Sequence, residues 1–305
     1  MKRFILSVCI GIALTTIPLC FPLGYRWFVL NKKSETIFAI KSGQNILVMG
    51  DSHAEHAFVE TNGIKMLTYH STPMNVSLMR LMELERRGGL SSIKVCILNF
   101  CYTSTSQWGY KGQIESTWRL LPISLQYLDL IPIPRKKLYV ELLEMTTANL
   151  DEMPPIASDA TKRNLEIPLN ERSEEWAEKS ATAALKRHFA WGEQNPEVFI
   201  PTAFEHLDET IRALKKICDA HSIRLVFFSA PLHKKYLDGV PEWGRKNLER
   251  WVNRIQNLGG IDYYNFMQWG SEEDFYDPDH LNKRGAEKFT QMFYSELVKS
   301  KVIKP

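Results

Sequence analysis

From residue 46 onward, short apolar runs alternate with longer amphipathic stretches. Apolar runs of strand length without a polar face are typical of parallel strands that helices cover on both sides. The alternation therefore predicts an α/β fold, a flavodoxin-like three-layer sandwich around a parallel sheet. The predicted strands are 46–49, 64–68, 93–100, 223–229 and 261–266, and the predicted helices are 76–87, 204–221, 246–258 and 283 to about 300.

This alternation stops between about residues 104 and 201. The segment is rich in tryptophan and proline, and its pattern predicts at least one amphipathic helix, over residues 171–188. We interpret it as a helical insertion that packs on the sandwich. A functional interpretation is that the insertion lines the cleft and selects the substrate.

The first 23 residues differ from the rest of the chain. Lys2 and Arg3 precede residues 4–23, which carry no charge and are numerous enough to span a bilayer as a helix. Because no small-x-small cleavage site precedes Tyr25, we expect an uncleaved signal anchor (1–23) rather than a removed signal peptide. Residues 24–43 are then a connector, and 44–305 form the domain. Basic residues flank the apolar segment on both sides, so charge does not decide its orientation. The signal-like layout instead supports a single span of the inner (cytoplasmic) membrane with the domain on the extracytoplasmic side.

Charge and cysteine content exclude several functions. The net charge of +3 comes from 38 basic and 35 acidic residues without a basic block, so no nucleic-acid partner is expected. Outside the apolar segment, Cys96, Cys101 and Cys218 are placed like buried free thiols, although a disulfide between Cys101 and Cys218 stays open. No metal-binding spacing occurs, and no metal or cofactor is expected.

A nucleophile is indicated directly after the first predicted strand, where Gly50, Asp51, Ser52 and His53 follow the apolar run. A strand, a tight turn and a helix start would present the Ser52 hydroxyl at the carboxyl edge of the sheet. A serine hydroxyl needs a base to become nucleophilic, and the base needs a third group to orient it. The alternative role for Ser52 is the N-cap of the helix.

A base and its orienting acid are indicated near the end of the chain, in the run from Asp277 to Asn282. At i, i+3 spacing, Asp277 can hold one ring nitrogen of His280 while the other nitrogen faces Ser52. Asp279 is the alternative acid, and a surface histidine is the alternative interpretation of His280. Asn282 is placed to cap the last helix.

The two motifs, in this order and at the two ends of the domain, resemble the SGNH/GDSL hydrolase superfamily. The resemblance implies the SGNH hydrolase fold, a catalytic set of Ser52, His280 and Asp277, and a structural role for Asp51 in the turn. It also implies an oxyanion hole that adds a glycine after the second strand and an asparagine after the third to the serine amide. Residues 68–73 contain no glycine, and Asn99 stands earlier than the position that the resemblance implies for the asparagine.

Other residues are therefore candidates around the predicted site. Asn99, Asn75 or a backbone amide would replace the missing oxyanion donors. His53 and His56 either contact substrate or are partly exposed helix residues, and His233 is predicted to be a turn residue that could reach the cleft.

We expect a serine-dependent ester hydrolase or acyltransferase that needs no cofactor. The layout of one anchor and one such domain is similar to the extracytoplasmic partners of membrane-bound O-acyltransferases. An O-acetylated cell-surface polysaccharide is thus the expected substrate, and a membrane-bound O-acyltransferase is a possible partner. The alternative is a catalytically silent domain that binds glycan or recruits the membrane enzyme.

Overall fold

The computed structural model describes residues 43–61, 64–69, 74–105, 168–189 and 196–303. All of these residues belong to one compact unit. The predicted anchor (1–23), the connector up to residue 42, and residues 106–167 of the predicted insertion lie outside the described residues. No helix within the described ranges is both long and apolar enough to cross a membrane.

A parallel sheet of five strands forms the centre of this unit, in the order β2-β1-β3-β4-β5. That order belongs to doubly wound sheets and is consistent with a flavodoxin-like fold. The predicted α/β fold with a parallel sheet is confirmed. The strands are β1 (Ile46–Met49), β2 (Met66–Tyr69), β3 (Val95–Asn99), β4 (Arg224–Ser229) and β5 (Ile261–Asn265).

Seven helices occur within the described ranges. The long helices begin and end within about four residues of the predicted positions, except that α4 begins eight residues earlier than predicted, at Pro196. The ends of the two short helices, α1 and α5, are not defined by the apolar pattern. The helices are α1 (Ser52–Ala57), α2 (Met74–Arg86), α3 (Glu174–Phe189), α4 (Pro196–Ala220), α5 (Lys234–Gly239), α6 (Glu242–Asn257) and α7 (Lys283–Lys299).

Helices cover both faces of the sheet. Phe228 on β4 packs with Phe289 and Phe293 of α7, in a cluster that also includes residues of α1. Its neighbour Phe227 points to the opposite face, where it meets Phe100, which in turn contacts Trp251 of α6. Burying each phenylalanine contributes about 1.5–3 kcal/mol to stability. These aromatic contacts therefore hold α6 and α7 on opposite faces of the sheet.

The segment before α7 is a short antiparallel pair, β6 (Phe275–Asp277) and β7 (His280–Leu281). Asp277 stands opposite His280 in this pair, where the sequence suggested one turn of loop. Asn282 caps α7, as predicted, by accepting from the Gly285 amide at 2.9 Å. Gly285 lies so close to the strand pair that an added Cβ would be 2.0 Å from the Asp274 carbonyl oxygen. The start of α7 is thereby fixed to the segment that carries Asp277 and His280.

Helix α3 lies within the predicted insertion and packs against α5 and β6. It therefore reaches the carboxyl edge of the sheet. The three cysteines of the described residues, Cys96, Cys101 and Cys218, are free and buried, so the open possibility of a Cys101–Cys218 disulfide is wrong.

Candidate active site

Ser52 is the first residue of α1, directly after β1 and its turn. The turn passes very close to the end of β3, because a Cβ on Gly50 would lie 2.8 Å from the Asn99 Cβ. Only glycine fits there without displacing one of the strand ends. The N-cap of α1 is Asp51, which rules out the alternative of Ser52 as the N-cap.

Ser52, His280 and Asp277 form one hydrogen-bonded chain. The Oγ of Ser52 lies 2.9 Å from Nε2 of His280, and Nδ1 of His280 lies 3.0 Å from each carboxylate oxygen of Asp277. The alternative acid, Asp279, approaches the same Nδ1 only to 3.5 Å, beyond the usual range of a hydrogen bond. The structure thus brings together the three residues that the sequence motifs indicated. Asp277, rather than Asp279, is the carboxylate within hydrogen-bond distance of His280 Nδ1.

The charges around the ring determine its protonation. Burial lowers the pKa of His280, but the carboxylates of Asp277 and Asp279 more than offset this effect and raise it to about 9. For Asp277 burial acts in the opposite direction and raises the pKa, but the His280 ring holds that pKa well below the usual range. Asp277 is therefore ionised and accepts from His280 Nδ1–H, which directs Nε2 toward the serine.

Asp51 ties the serine turn to the loop after β3. Its Oδ1 accepts from the His53 backbone amide at 3.1 Å and from Asn99 Nδ2 at 2.8 Å, and its Oδ2 accepts from Thr103 Oγ1 at 2.6 Å. Burial raises the pKa of Asp51, but the His53 ring and these hydrogen bonds bring it well below its usual range. The structural role that the resemblance implied for Asp51 agrees with these contacts.

The side chain of Asn99 is occupied by structural contacts. Its Nδ2 donates to Asp51, and its Oδ1 accepts from the Ala230 amide at 3.3 Å. The geometry does not support Asn99 as an oxyanion donor. Asn75 is buried in the first turn of α2, where its Oδ1 accepts from the Val76 amide. Its Nδ2 finds no partner within the described residues.

His53 is 3% exposed, so the expectation of a partly exposed helix residue is wrong for this position. Its Nδ1 lies 3.2 Å from Asp51 Oδ1. Its ring stacks on that of His280, with centroids 5.1 Å apart. His56, half-buried, also contacts the His280 ring, at 4.6 Å. These contacts make His53 part of the support behind His280 rather than a residue facing substrate.

The backbone amide of Ser52 is a candidate oxyanion donor at this turn. The Asp51 carbonyl accepts from the amides of Ala54 and Glu55, and the Asp51 side chain accepts that of His53. Within the described ranges the Ser52 amide has no such acceptor. The unpaired backbone amides at the start of a helix can donate hydrogen bonds to a negatively charged group.

Sequence reasoning missed part of the support around the histidine. Helix α3 supplies His188, whose Nδ1 lies 2.7 Å from the hydroxyl of the fully buried Tyr236 on α5. The same histidine lies 6.0 Å from the His53 ring, between centroids. His233 was predicted to be a turn residue, but it is the buried N-cap of α5, and its amide donates to the Pro278 carbonyl. No periodic signal in the sequence indicates these contacts, because each joins segments far apart in the chain.

Among the described residues, two groups of three side chains have possible metal-ligand atoms within 4.8 Å of one another. The first consists of Asp51, His53 and Cys101, and the second of His53, Asp279 and His280. The members of the first group are already engaged in the hydrogen bonds around Asp51. A metal in the second group would compete with Ser52 and Asp277 for His280.

Comparisons with known proteins add no relative to this description. No family model matches the chain, and the search of curated proteins gives no match.

Proposed function

We propose that this protein is a serine-dependent ester hydrolase or acyltransferase of the SGNH/GDSL type. The observation that carries the proposal is the chain from Ser52 Oγ through His280 to Asp277, with contacts of 2.9 and 3.0 Å. A nucleophile, a base and an orienting acid in that arrangement can carry out acyl transfer. The parallel sheet, with Ser52 after β1 and His280 before α7, is compatible with the SGNH hydrolase fold.

In the proposed reaction Ser52 Oγ attacks an ester carbonyl while its proton passes to His280 Nε2. The developing oxyanion accepts from the Ser52 amide, and His280 then protonates the leaving alcohol. The acyl-enzyme passes its acyl group to water or to a hydroxyl acceptor, with His280 again taking the proton. Asp277 keeps Nδ1 protonated throughout and balances the imidazolium charge.

The proposed substrate is an O-acyl group, with O-acetyl preferred, on a cell-surface polysaccharide. Support comes from the predicted anchor and the layout similar to the extracytoplasmic partners of membrane-bound O-acyltransferases, so a membrane-bound O-acyltransferase is the proposed partner. Anchoring on the outer side of the inner membrane would keep Ser52 close to a membrane-embedded acyl donor and raise its effective concentration.

One observation favours the alternative of a catalytically silent domain. The Asn99 side chain, the nearest substitute for the expected oxyanion asparagine, is held by Asp51 and the Ala230 amide. Loss of one oxyanion donor typically costs about 10²- to 10³-fold in rate. Because Ser52, His280 and Asp277 are aligned, we favour a slow or specialised enzyme over a silent domain.

A serine-directed fluorophosphonate tests the two functions. We expect the full chain to be labelled on Ser52, as shown by peptide mapping, and the Ser52→Ala variant to remain unlabelled. Ser295→Ala, at an exposed position of α7, is the matched control and should label like the parent. Labelling at another residue, or none in the folded parent, would leave the silent domain as the better description.

A further inference from the structure

A second concave site lies at the carboxyl edge of the sheet, beyond the ends of β4 and β5. This cavity has a volume of about 840 Å³, within the range of about 300–1,000 Å³ that is usual for ligand pockets. It lies between the start of α5 and the loop from β5 to β6, and its lining includes His233, Arg245, Trp269, Glu272 and Phe275. None of its lining residues belongs to the hydrogen-bonded chain of the candidate active site.

The wall of the cavity is tied to the segment that carries His280. The amide of His233 donates to the carbonyl of Pro278 at 2.9 Å, and Pro278 stands two residues before His280. The amide of Leu232 donates to the Met267 carbonyl at 3.0 Å. Because two residues span at most about 7 Å, a chain-like substrate bound at His280 can reach the cavity with a neighbouring unit.

His233 presents a hydrogen-bond donor to the cavity. Its Nδ1 accepts from the Lys235 amide at 3.3 Å, and burial lowers its pKa, which keeps the ring neutral. A neutral ring that accepts at Nδ1 carries its proton on Nε2. Oε1 of Glu272 lies 3.9 Å from this nitrogen, which is too far for a hydrogen bond. A donor and an acceptor therefore face each other without bonding to each other.

The group that fits between these two atoms is a hydroxyl. A hydroxyl accepts from His233 Nε2–H with a lone pair and donates its own proton to the Glu272 carboxylate. An anion would be repelled by Glu272, and a cation would meet the N–H of His233. The Glu272 side chain is 69% exposed and can adjust to the length that two hydrogen bonds need.

The lysines and the arginine of the lining are held by neighbouring groups of the fold. The contacts are Lys234 with Asp238, Lys235 with Glu174, and Arg245 with the carbonyls of Leu237 and Val240. Because the two lysines are neutralised by carboxylates, the cavity offers no excess of positive charge. An uncharged ligand is therefore favoured over an anionic one.

Trp269 supplies an apolar surface beside these polar groups. It is partly exposed where it lines the cavity, and its ring packs against Phe289 of α7 with centroids 5.2 Å apart. The electron-rich face of an indole attracts weakly positive C–H groups. A sugar ring presents such C–H groups on its face and hydroxyls on its edge, so it matches both parts of the cavity.

We propose that this cavity is a carbohydrate subsite, which binds one uncharged sugar unit of the polysaccharide beside the unit whose acyl group reaches Ser52. A sugar hydroxyl lies between His233 and Glu272, and a C–H face of the ring packs on Trp269. The inference rests on the proposed function for the choice of a polysaccharide, but binding of a glycan can be measured without turnover.

The experiment is an NMR titration of the full chain, ¹⁵N-labelled at tryptophan and held in a detergent without a sugar headgroup. The probes are uncharged tetrasaccharides of hexoses, of pentoses and of N-acetylhexosamines, at up to about 10 mM. We expect at least one probe to shift the indole N–H resonance of Trp269, which is assigned through Trp269→Phe. Glu272→Ala should weaken this binding about tenfold, because a hydrogen bond to a carboxylate is lost.

Matched controls separate binding from stability. Glu249→Ala, at an exposed position of α6, should bind like the parent. Trp269→Ala should abolish binding, whereas Trp243→Ala, a partly exposed tryptophan of α6 outside the lining, should not. Trp269→Ala is compared only if it keeps the parent unfolding midpoint, and the exposed Glu272 decides the outcome otherwise.

Unchanged binding in the Glu272→Ala variant, or no shift of the Trp269 resonance with any uncharged probe, would overturn the proposal. A preference for tetrasaccharides of hexuronic acids would overturn it as well. Fluorophosphonate labelling tests the proposed function separately. If Ser52 stays unlabelled while the sugar binds, the subsite stands and the domain is the silent glycan-binding alternative. If Ser52 is labelled and no uncharged probe binds, the enzyme stands and the subsite falls.

Discussion

Asn99 at the end of β3 donates from Nδ2 to Oδ1 of Asp51 at 2.8 Å, across the gap between two neighbouring strands. The same side chain accepts from the Ala230 amide beyond β4. One amide group therefore joins the ends of three strands at the edge where Ser52 begins its helix. The position of Ser52, the proposed nucleophile, therefore depends on the contacts of the Asn99 side chain with Asp51 and Ala230.

Replacing Asn99 with Ala should lower both stability and turnover. The change leaves part of the Asp51 carboxylate and the Ala230 amide without partners, at a cost of about 1–3 kcal/mol. Urea unfolding and ester hydrolysis measure the two effects. Asn253→Ala, at an exposed position of α6, is the control and should change neither. A stable Asn99→Ala variant with normal turnover would contradict this role.

Asp277 and Asp279 should differ sharply when each is changed to Asn. Asp277→Asn removes the group that fixes the ring tautomer of His280, and in serine-protease triads the corresponding change lowers kcat by about 10⁴-fold. Asp279→Asn should reduce the maximal rate by less than about tenfold, because it makes no direct hydrogen bond to the ring. Steady-state hydrolysis of a small ester measures both. A larger loss for Asp279→Asn would reverse the assignment of the acid.

The rate should rise with pH up to about 9. His280 accepts the serine proton only as a neutral ring, and the neighbouring carboxylates raise its pKa to about 9. Below that pH, kcat/KM should fall about tenfold per unit. A profile already flat between pH 6 and 8 would show that His280 is neutral there.

The same pKa has the opposite effect on stability. The pKa of His280 is raised on folding, from an ordinary value of 6.5 to about 9. Its contribution to the free energy of unfolding is therefore fully present below about 6.5 and is lost as the pH rises through about 9. Urea midpoints of the parent and His280→Asn should converge over that window, whereas a constant difference would contradict the linkage.

Gly285→Ala should destabilise the start of α7. The added Cβ would lie 2.0 Å from the Asp274 carbonyl oxygen, so the helix or the strand pair must move. Such overpacking typically costs about 1–3 kcal/mol. The movement should also weaken the contact between His280 and Ser52, which fluorophosphonate labelling rates report. Ser295→Ala, farther along the same helix, is the control, and equal behaviour of the two variants would be evidence against this packing.

The predicted anchor should keep the protein in the membrane fraction with residues 1–23 attached. Deletion of residues 1–33 should spare hydrolysis of a small ester while abolishing polymer modification in cells. Fractionation and N-terminal sequencing test the first statement, and analysis of polymer acylation tests the second. A soluble native protein that begins near Tyr25 would instead favour a secreted esterase.

The positions of the central strands and of most long helices could be predicted because apolar periodicity is a local property. The second strand was predicted at 64–68 and is found at Met66–Tyr69. Ile64 pairs with Thr61 in an isolated bridge rather than with the sheet, so the strand begins after it. The helix start at Ser52 was predicted from its turn chemistry, whereas α5 was missed because fewer than two turns carry little periodic signal.

The sequence alone indicated the α/β architecture and a meeting of Ser52 with His280 and a neighbouring carboxylate, because apolar periodicity and turn chemistry act over a few neighbouring residues. Only the tertiary structure brought Asp277 rather than Asp279 within hydrogen-bond distance of His280, engaged the Asn99 side chain, and buried His53 against His280. The choice between the two carboxylates depends on the pairing of β6 with β7. The contacts of Asn99 and His53 join segments far apart in the chain, and no local pattern records which distant group will fill a given contact.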